Sequence, residues 1–272
     1  MRKQYILGAP LYAKRQELVS KIPNFWPLVF ELPPPEIDAY MQVSDSEIFG
    51  KYLTGFDVRR FEVPLGPERI QQGDADEGDP RSLAIRFEFA ENEWFEDGVL
   101  EKKFWWRRAK DGWTGLVSEP VRIHWKKGKD PTRGLTDGAT KLWEARKEAG
   151  DMSKRDLPEF DALARILENW NGTNTSFFTW FAYVSPRRWV SAEESAEAVK
   201  QERRRREELA QGSAKGTASP IPEPEPLEQQ VEVHEDGDSL ANVFAEDLWP
   251  GAIRYFSKHE HRVSTSCPWA AS

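Results

Sequence analysis

An acidic segment near the C-terminus carries the side chains most able to do chemistry. From Glu223 to Asp247 the chain has nine Asp or Glu residues and no Lys or Arg. Carboxylates without neighbouring cations attract a basic partner through an interaction that weakens with salt. The candidate binding residues are Glu235, Asp236, Asp238, Glu246 and Asp247. The last two end a predicted helix beside Trp249 and are the stronger candidates, whereas the alternative for the rest is a solvated acidic loop without a partner.

Histidine and cysteine residues show no catalytic spacing. The chain contains four His residues and one Cys. His124, His234, His259, His261 and Cys267 form neither a metal-ligand pattern nor a nucleophilic triad. The sequence also contains no Gly-rich phosphate loop. We therefore expect a protein that is not an enzyme and that holds no metal and no cofactor.

The stretch SFFTWF raises the possibility of a stacking surface for a flat ligand. Phe177, Phe178, Trp180 and Phe181 share one wide helix face, and no Lys or Arg flanks them. A platform for nucleic-acid bases would place aromatic residues on an exposed strand near basic residues. The pattern favours a helix packed beneath a sheet.

Four predicted strands and several helices must position these residues. Alternating apolar residues predict strands at 55–63, 82–90, 99–106 and 119–125. Leu11, Leu18 and Ile22 predict a helix that ends near Pro23, and Ser44 with Glu47 predicts a capping box at the start of the next helix. Further helices follow the strands. This order indicates an α+β fold with an antiparallel meander covered on one face.

Composition limits the remaining possibilities. The chain has 272 residues and a formal net charge of -8, so its overall field does not suit nucleic acid. A single cysteine is typical of a reducing compartment such as the cytosol or nucleus, and no apolar run is long enough for a membrane span. Loops at 66–81 and 212–238 are rich in Gly, Pro and acidic residues and are predicted to be disordered.

Five motifs occur in an order that resembles the nucleosome assembly protein family, and in particular its SET branch. They are KRQELVSKIPNFW, FAENEWFEDGVLEKKF, IHWKKGKDPT, SFFTWF and EDLWPGAIRYF. Within the SET branch they are most similar to a fungal chaperone that partners a histone acetyltransferase. The motif residues expected in the core are Phe25, Trp26, Phe177, Phe178, Trp180, Phe181 and Trp249.

The resemblance implies a fold and a function. It implies a four-stranded antiparallel sheet with helices on one face, preceded by a dimerisation helix. Residues 1–25 would be a remnant of that helix, residues 26–256 the histone-binding domain and residues 257–272 a disordered tail. The implied function is that of a nuclear or cytoplasmic histone chaperone that binds core histones and assists nucleosome assembly.

Two features depart from the family pattern or leave alternatives open. The predicted first helix has about three turns, which is short for a stable coiled coil, so the homodimer expected from the family is in doubt. Lys126, Lys127 and Lys129 match a family loop associated with chromatin or DNA, although a solvated hairpin end explains them equally well. An adaptor for a histone acetyltransferase, a phosphatase inhibitor and a cytoplasmic scaffold without histone affinity remain alternative functions.

Overall fold

A four-stranded antiparallel sheet forms the centre of the molecule. The computed structural model describes residues 1–65, 78–170, 175–185, 189–210 and 229–258. The strands are β1 Leu53–Arg59, β2 Leu83–Phe89, β3 Val99–Arg108 and β4 Thr114–Ser118, and they lie side by side in sequence order. Each neighbouring pair is antiparallel. The predicted α+β class and meander are therefore confirmed.

Helices precede and follow the sheet. Before it lie α1 Arg2–Val19, α2 Phe25–Glu31, α3 Pro35–Asp38 and α4 Val43–Tyr52. After it come α5 Leu135–Glu148, α6 Pro158–Glu168, a 3-10 helix Phe177–Ala182 and α7 Ala192–Ala210. A 3-10 turn Gln229–Val231, α8 Gly237–Val243, a π-helical turn Phe244–Leu248 and α9 at residues 252–258 complete the described chain. None of these helices has the length and apolar character needed to cross a membrane.

An aromatic core fills the space between the sheet and the helices. The side chains of the 3-10 helix pack against Phe87 of β2 and Phe244 of the π-helical turn, with ring centroids 5.4–6.1 Å apart. Edge-to-face pairs at this spacing add to the free energy of area burial. The motif residues Phe25, Trp26, Phe177, Phe178, Trp180, Phe181 and Trp249 are all buried. They therefore serve packing and are not exposed to a ligand.

The fourth strand differs from the prediction. We expected it at 119–125, whereas β4 is Thr114–Ser118. In the predicted segment the alternation of burial is present, but its backbone bonds elsewhere: the Val121 N–H donates to the Phe181 carbonyl, and Trp125 forms an isolated bridge with Phe95. Because alternation reports only which side chains face the core, it cannot distinguish a sheet partner from a helix partner.

Three local predictions were also wrong. Helix α1 begins at Arg2 and ends at Val19, so it is longer than three turns and leaves Ile22 outside.

The capping box lies two residues before Ser44 and Glu47, because Asp45 accepts the backbone N–H of Gln42 at 3.0 Å. Residues 229–238 are ordered, because they include the 3-10 turn Gln229–Val231 and the start of α8, and Val231 and His234 are buried. The other residues of the two predicted loops lie outside the described residues, apart from a turn at 78–81.

One lysine lies inside the core. Lys102 of β3 is fully buried, and its Nζ donates to the backbone carbonyls of Glu119 at 2.9 Å, Phe181 at 3.1 Å and Tyr183 at 2.8 Å. Three carbonyl acceptors match the three protons of an ammonium group. Lys102 therefore connects the sheet to the 3-10 helix and to the segment after β4.

Candidate functional site

The turn before α8 presents the first part of an acidic surface. Glu235 and Asp236 are exposed, and Asp238, in the first turn of α8, is partly exposed. His234, just before Glu235, and Gly237, between Asp236 and Asp238, are both buried. The carboxylates therefore lie on the outer side of the turn. Negative charge at a helix N-terminus is also favoured by the helix dipole. The structure thus brings together three of the five acidic candidates.

A second acidic segment, which the sequence analysis missed, lies beside the first. Helix α3 packs against α8 and adds the exposed carboxylates of Glu36 and Asp38. Tyr40 joins the two segments, because its hydroxyl donates to Asp236 Oδ2 at 2.5 Å and its ring lies 4.5 Å from that of His234. Residues 22–50 contain no Lys or Arg, and this was the signal that could have identified the segment. We call Glu36, Asp38, Glu235, Asp236 and Asp238 the acidic surface.

The pKa values of two groups at this surface are raised by burial and by neighbouring carboxylates. Burial, the hydrogen bond to Asp236 and the charges of Asp236 and Glu235 together raise the pKa of the Tyr40 hydroxyl to about 12. Burial also raises the pKa of Asp238, with a contribution from the charge of Asp236. Burial is thus the main cause of both shifts, and the charge of Asp236 adds to each. None of the five pairs with a Lys or Arg of the described chain.

Glu246 and Asp247 are in a different situation. They lie in the π-helical turn Phe244–Leu248, where the Trp249 N–H bonds to the Phe244 carbonyl at 3.0 Å. Glu246 forms an ion pair with Arg60 at the end of β1. Asp247 pairs with Arg254 of α9 and accepts a hydrogen bond from the Tyr255 hydroxyl at 2.8 Å. These two residues, the stronger candidates by sequence, are therefore neutralised by cations of the same chain.

Two of the three candidate lysines contact the connection between β2 and β3. Lys126 Nζ donates to the Asn92 carbonyl at 2.6 Å, and Lys129 pairs with Glu93 and lies over the Trp94 ring. Lys127 is exposed. Two of the three positive charges thus have partners in the connection between β2 and β3, which favours the interpretation of these residues as an ordinary solvated hairpin end.

The described residues contain no cluster of three or more His, Cys, Asp or Glu side chains able to hold a metal ion. His234 is buried, with Nδ1 3.3 Å from the Thr179 hydroxyl, and burial lowers its pKa to about 4. His124 is exposed and hydrogen-bonds to Asp97. Each of these two imidazoles therefore has a structural explanation, while His259, His261 and Cys267 lie outside the described residues.

Comparison with known proteins assigns the fold to a family. The family model described as "Nucleosome assembly protein (NAP)" matches residues 9–259. The chain belongs to this family. It is 27% identical over 256 residues to NAP1-related protein 2 of Arabidopsis thaliana, which covers 94% of the chain and 66% of that protein. It is 29% identical over 194 residues to Protein SETSIP of Homo sapiens, with 71% of the chain and 50% of that protein covered. The chain thus spans 66% or less of the length of these curated relatives.

Solved structures show the same fold. The crystal structure of Ccp1 aligns with a TM-score of 0.51 and 23% identity, covering 95% of this chain and 85% of that one. The crystal structure of Vps75 aligns with the same TM-score of 0.51 at 18% identity, covering 95% and 88%. These similarities show the fold alone.

Proposed function

We propose that this protein is a histone chaperone that binds core histones through the acidic surface. The observation that carries the proposal is the meeting of two segments without Lys or Arg, residues 22–50 and 216–253, at the contact between α3 and α8. Membership of the nucleosome assembly protein family supports a chaperone role in general. Histones are strongly basic, so a rigid acidic surface competes with DNA for them. The surface releases them when DNA phosphates replace its carboxylates as partners of the histone cations.

The mechanism needs electrostatics and shape, and no bond is made or broken. Five carboxylates without cationic partners in the described chain leave a negative potential that attracts Lys and Arg side chains over about one Debye length, ~8 Å at physiological salt. The hydrogen bond from Tyr40 to Asp236 and the burial of His234 hold the two segments in one geometry. We propose accordingly a non-enzymatic protein that acts in the nucleus.

Neutralising the acidic surface tests the proposal. The variant combines Glu36→Gln, Asp38→Asn, Glu235→Gln and Asp236→Asn. Its control combines Glu148→Gln, Asp156→Asn, Asp161→Asn and Glu168→Gln, four exposed carboxylates on and between α5 and α6. Both variants remove four negative charges, so net charge is matched and only position differs.

Affinity for purified core histones is measured by fluorescence titration at several salt concentrations. Exposed charge pairs are worth about 0.2–1 kcal/mol each, so four of them predict a loss of about fourfold or more for the first variant and little change for the control. Equal losses in both variants would show that net charge alone matters. Absence of binding by the unmodified protein at physiological salt would favour a scaffold without histone affinity.

We also propose a homodimer formed through α1. Leu7, Leu11 and Leu18 are more than half exposed, and Ile22 just beyond the helix is 39% exposed. Their spacing of four, seven and four residues places one apolar stripe along the helix, as in a two-stranded coiled coil. The opposite side of α1 packs on the domain through Tyr12, whose ring lies 4.4 Å from that of Trp249.

Light scattering measures the oligomeric state. We expect the mass of a dimer for the unmodified chain and the mass of a monomer for the variant Leu7→Ser with Leu11→Ser, because two apolar contacts are removed from each helix. A monomer mass for the unmodified chain at micromolar concentration would refute the dimer and leave the histone proposal intact.

A further inference from the structure

A groove with both apolar and polar lining residues lies between α2 and α4, next to the acidic surface. Pro27 and Leu28 of α2 form one wall, Met41 lies at one end, and all three are only partly buried. The groove has a volume of about 320 Å³. Ligand sites in proteins measure about 300–1,000 Å³, so this space is sufficient for an apolar side chain with part of its backbone.

Gly50 keeps the groove open. It lies inside α4 and is exposed, and a Cβ atom built there would meet no atom within 4 Å outside the backbone of its own helix. Glycine within a helix costs about 1 kcal/mol relative to alanine, and no contact inside the described chain requires it here. Glycine in a regular element often allows the close approach of another backbone or a ligand. The empty space above Gly50 is therefore suited to a partner.

Charge defines which partner the groove suits. The carboxylates of Glu31 and Asp38 line its rim, and no Lys or Arg lines it within the described chain. Asp38 also belongs to the acidic surface, so the groove and that surface share this carboxylate. Met41 provides a flexible, polarisable contact of the kind that accepts varied apolar side chains.

We propose that this groove docks an apolar side chain of the same basic partner whose cationic residues bind the acidic surface. The occupant is a segment with one large apolar residue, such as Leu, close to several Lys or Arg residues. The identity of the partner rests on the proposed function, whereas the groove itself is defined by its own geometry. In this arrangement the acidic surface attracts the partner and the groove fixes its position along the surface.

Methyl NMR tests the groove directly because the chain has three methionines, Met1, Met41 and Met152. With 13C-methyl methionine in the full chain, Met41 reports on the groove and Met152, which lines a separate cavity beside α5, is an internal control. The probes are a ten-residue peptide of Lys and Gly with one central Leu, and the same peptide with Ser in place of Leu. The Leu peptide is expected to shift the Met41 methyl and leave that of Met152 unchanged.

The strength of binding provides a second measurement. Burial of a Leu side chain corresponds to about a tenfold or larger gain in affinity, so the Ser peptide should bind at least that much more weakly. Gly50→Trp fills the groove and should weaken the Leu peptide by a similar factor, whereas Gly50→Ala leaves most of the space open and should bind normally. Far-UV circular dichroism checks that both variants keep the fold.

The outcomes separate the two proposals. An unchanged Met41 methyl at saturating Leu peptide, or equal affinities for the Leu and Ser peptides, overturns the groove. If Gly50→Trp binds core histones as well as the unmodified protein does while the acidic-surface variant does not, the groove fails and the histone proposal stands. If the Leu peptide shifts Met41 but the unmodified protein binds no histones, the groove stands and the proposed partner is wrong.

Discussion

Replacing Lys102 by methionine tests how a buried lysine holds the sheet to the 3-10 helix. Lys102→Met keeps the length and most of the volume of the side chain but removes its three donated hydrogen bonds. The Phe181 carbonyl keeps another donor, because it also accepts from Val121 N–H at 2.8 Å. The Glu119 carbonyl belongs to a partly buried residue and lies 3.3 Å from Ser118 Oγ, whose single proton is donated to the Lys103 carbonyl at 2.7 Å.

The Tyr183 carbonyl sets the size of the stability loss in Lys102→Met. The Tyr183 carbonyl has no other donor within the described residues, so the variant leaves it buried without a hydrogen bond. Such a group costs about 1–3 kcal/mol. Methionine also avoids the desolvation of an ammonium group, which opposes this loss. The partners of Lys102 are backbone carbonyls, which stay in the core when the side chain is replaced. We therefore expect Lys102→Met to lower the free energy of unfolding by roughly 1–3 kcal/mol.

Urea unfolding followed by fluorescence and circular dichroism measures the change. Leu100→Met is the matched control, because Leu100 is buried on the same face of β3 and the swap conserves volume. The control should lose less than about 1.5 kcal/mol. A Lys102→Met variant that is as stable as the unmodified protein would refute the reasoning, since relief of desolvation would then balance the lost hydrogen bonds.

Two further predictions concern buried polar groups. Burial lowers the pKa of His234 to about 4, so the unfolded state binds more protons below its ordinary value of about 6.5, and stability should fall as the pH drops from about 6.5 to 4. His234→Gln should reduce this fall by up to about 3 kcal/mol in urea unfolding at pH 7 and pH 4.5, and an unchanged pH profile would contradict the assignment. Asp45 accepts the Phe177 N–H at 2.7 Å and the Ser176 hydroxyl at 2.6 Å. Asp45→Ala should therefore cost about 2–4 kcal/mol by thermal or urea unfolding, whereas Asp45→Asn, which retains an acceptor, should lose much less.

The fold was largely predictable because its signals are local. Alternation of apolar residues predicted β1 to β3 within a few residues, and clustering of aromatic residues identified the core segment Phe177–Ala182. The fourth strand was misplaced because residues 119–125 alternate as a strand does but bond to a helix and a loop. Lys102 shows the same limit, since no sequence pattern reveals a lysine satisfied by carbonyls up to 81 residues away.

The sequence by itself determined the aromatic core, the order of the sheet and the family, because each depends on residue type and spacing along the chain. Only the tertiary structure decided which carboxylates form an ion pair with a cation of the same chain and which do not. Glu246 is neutralised by Arg60, 186 residues earlier, whereas Asp236 lies beside the α3 segment, from which lysine and arginine are absent. The physical reason is that Coulomb interactions depend on distance in space, and only folding brings these residues together.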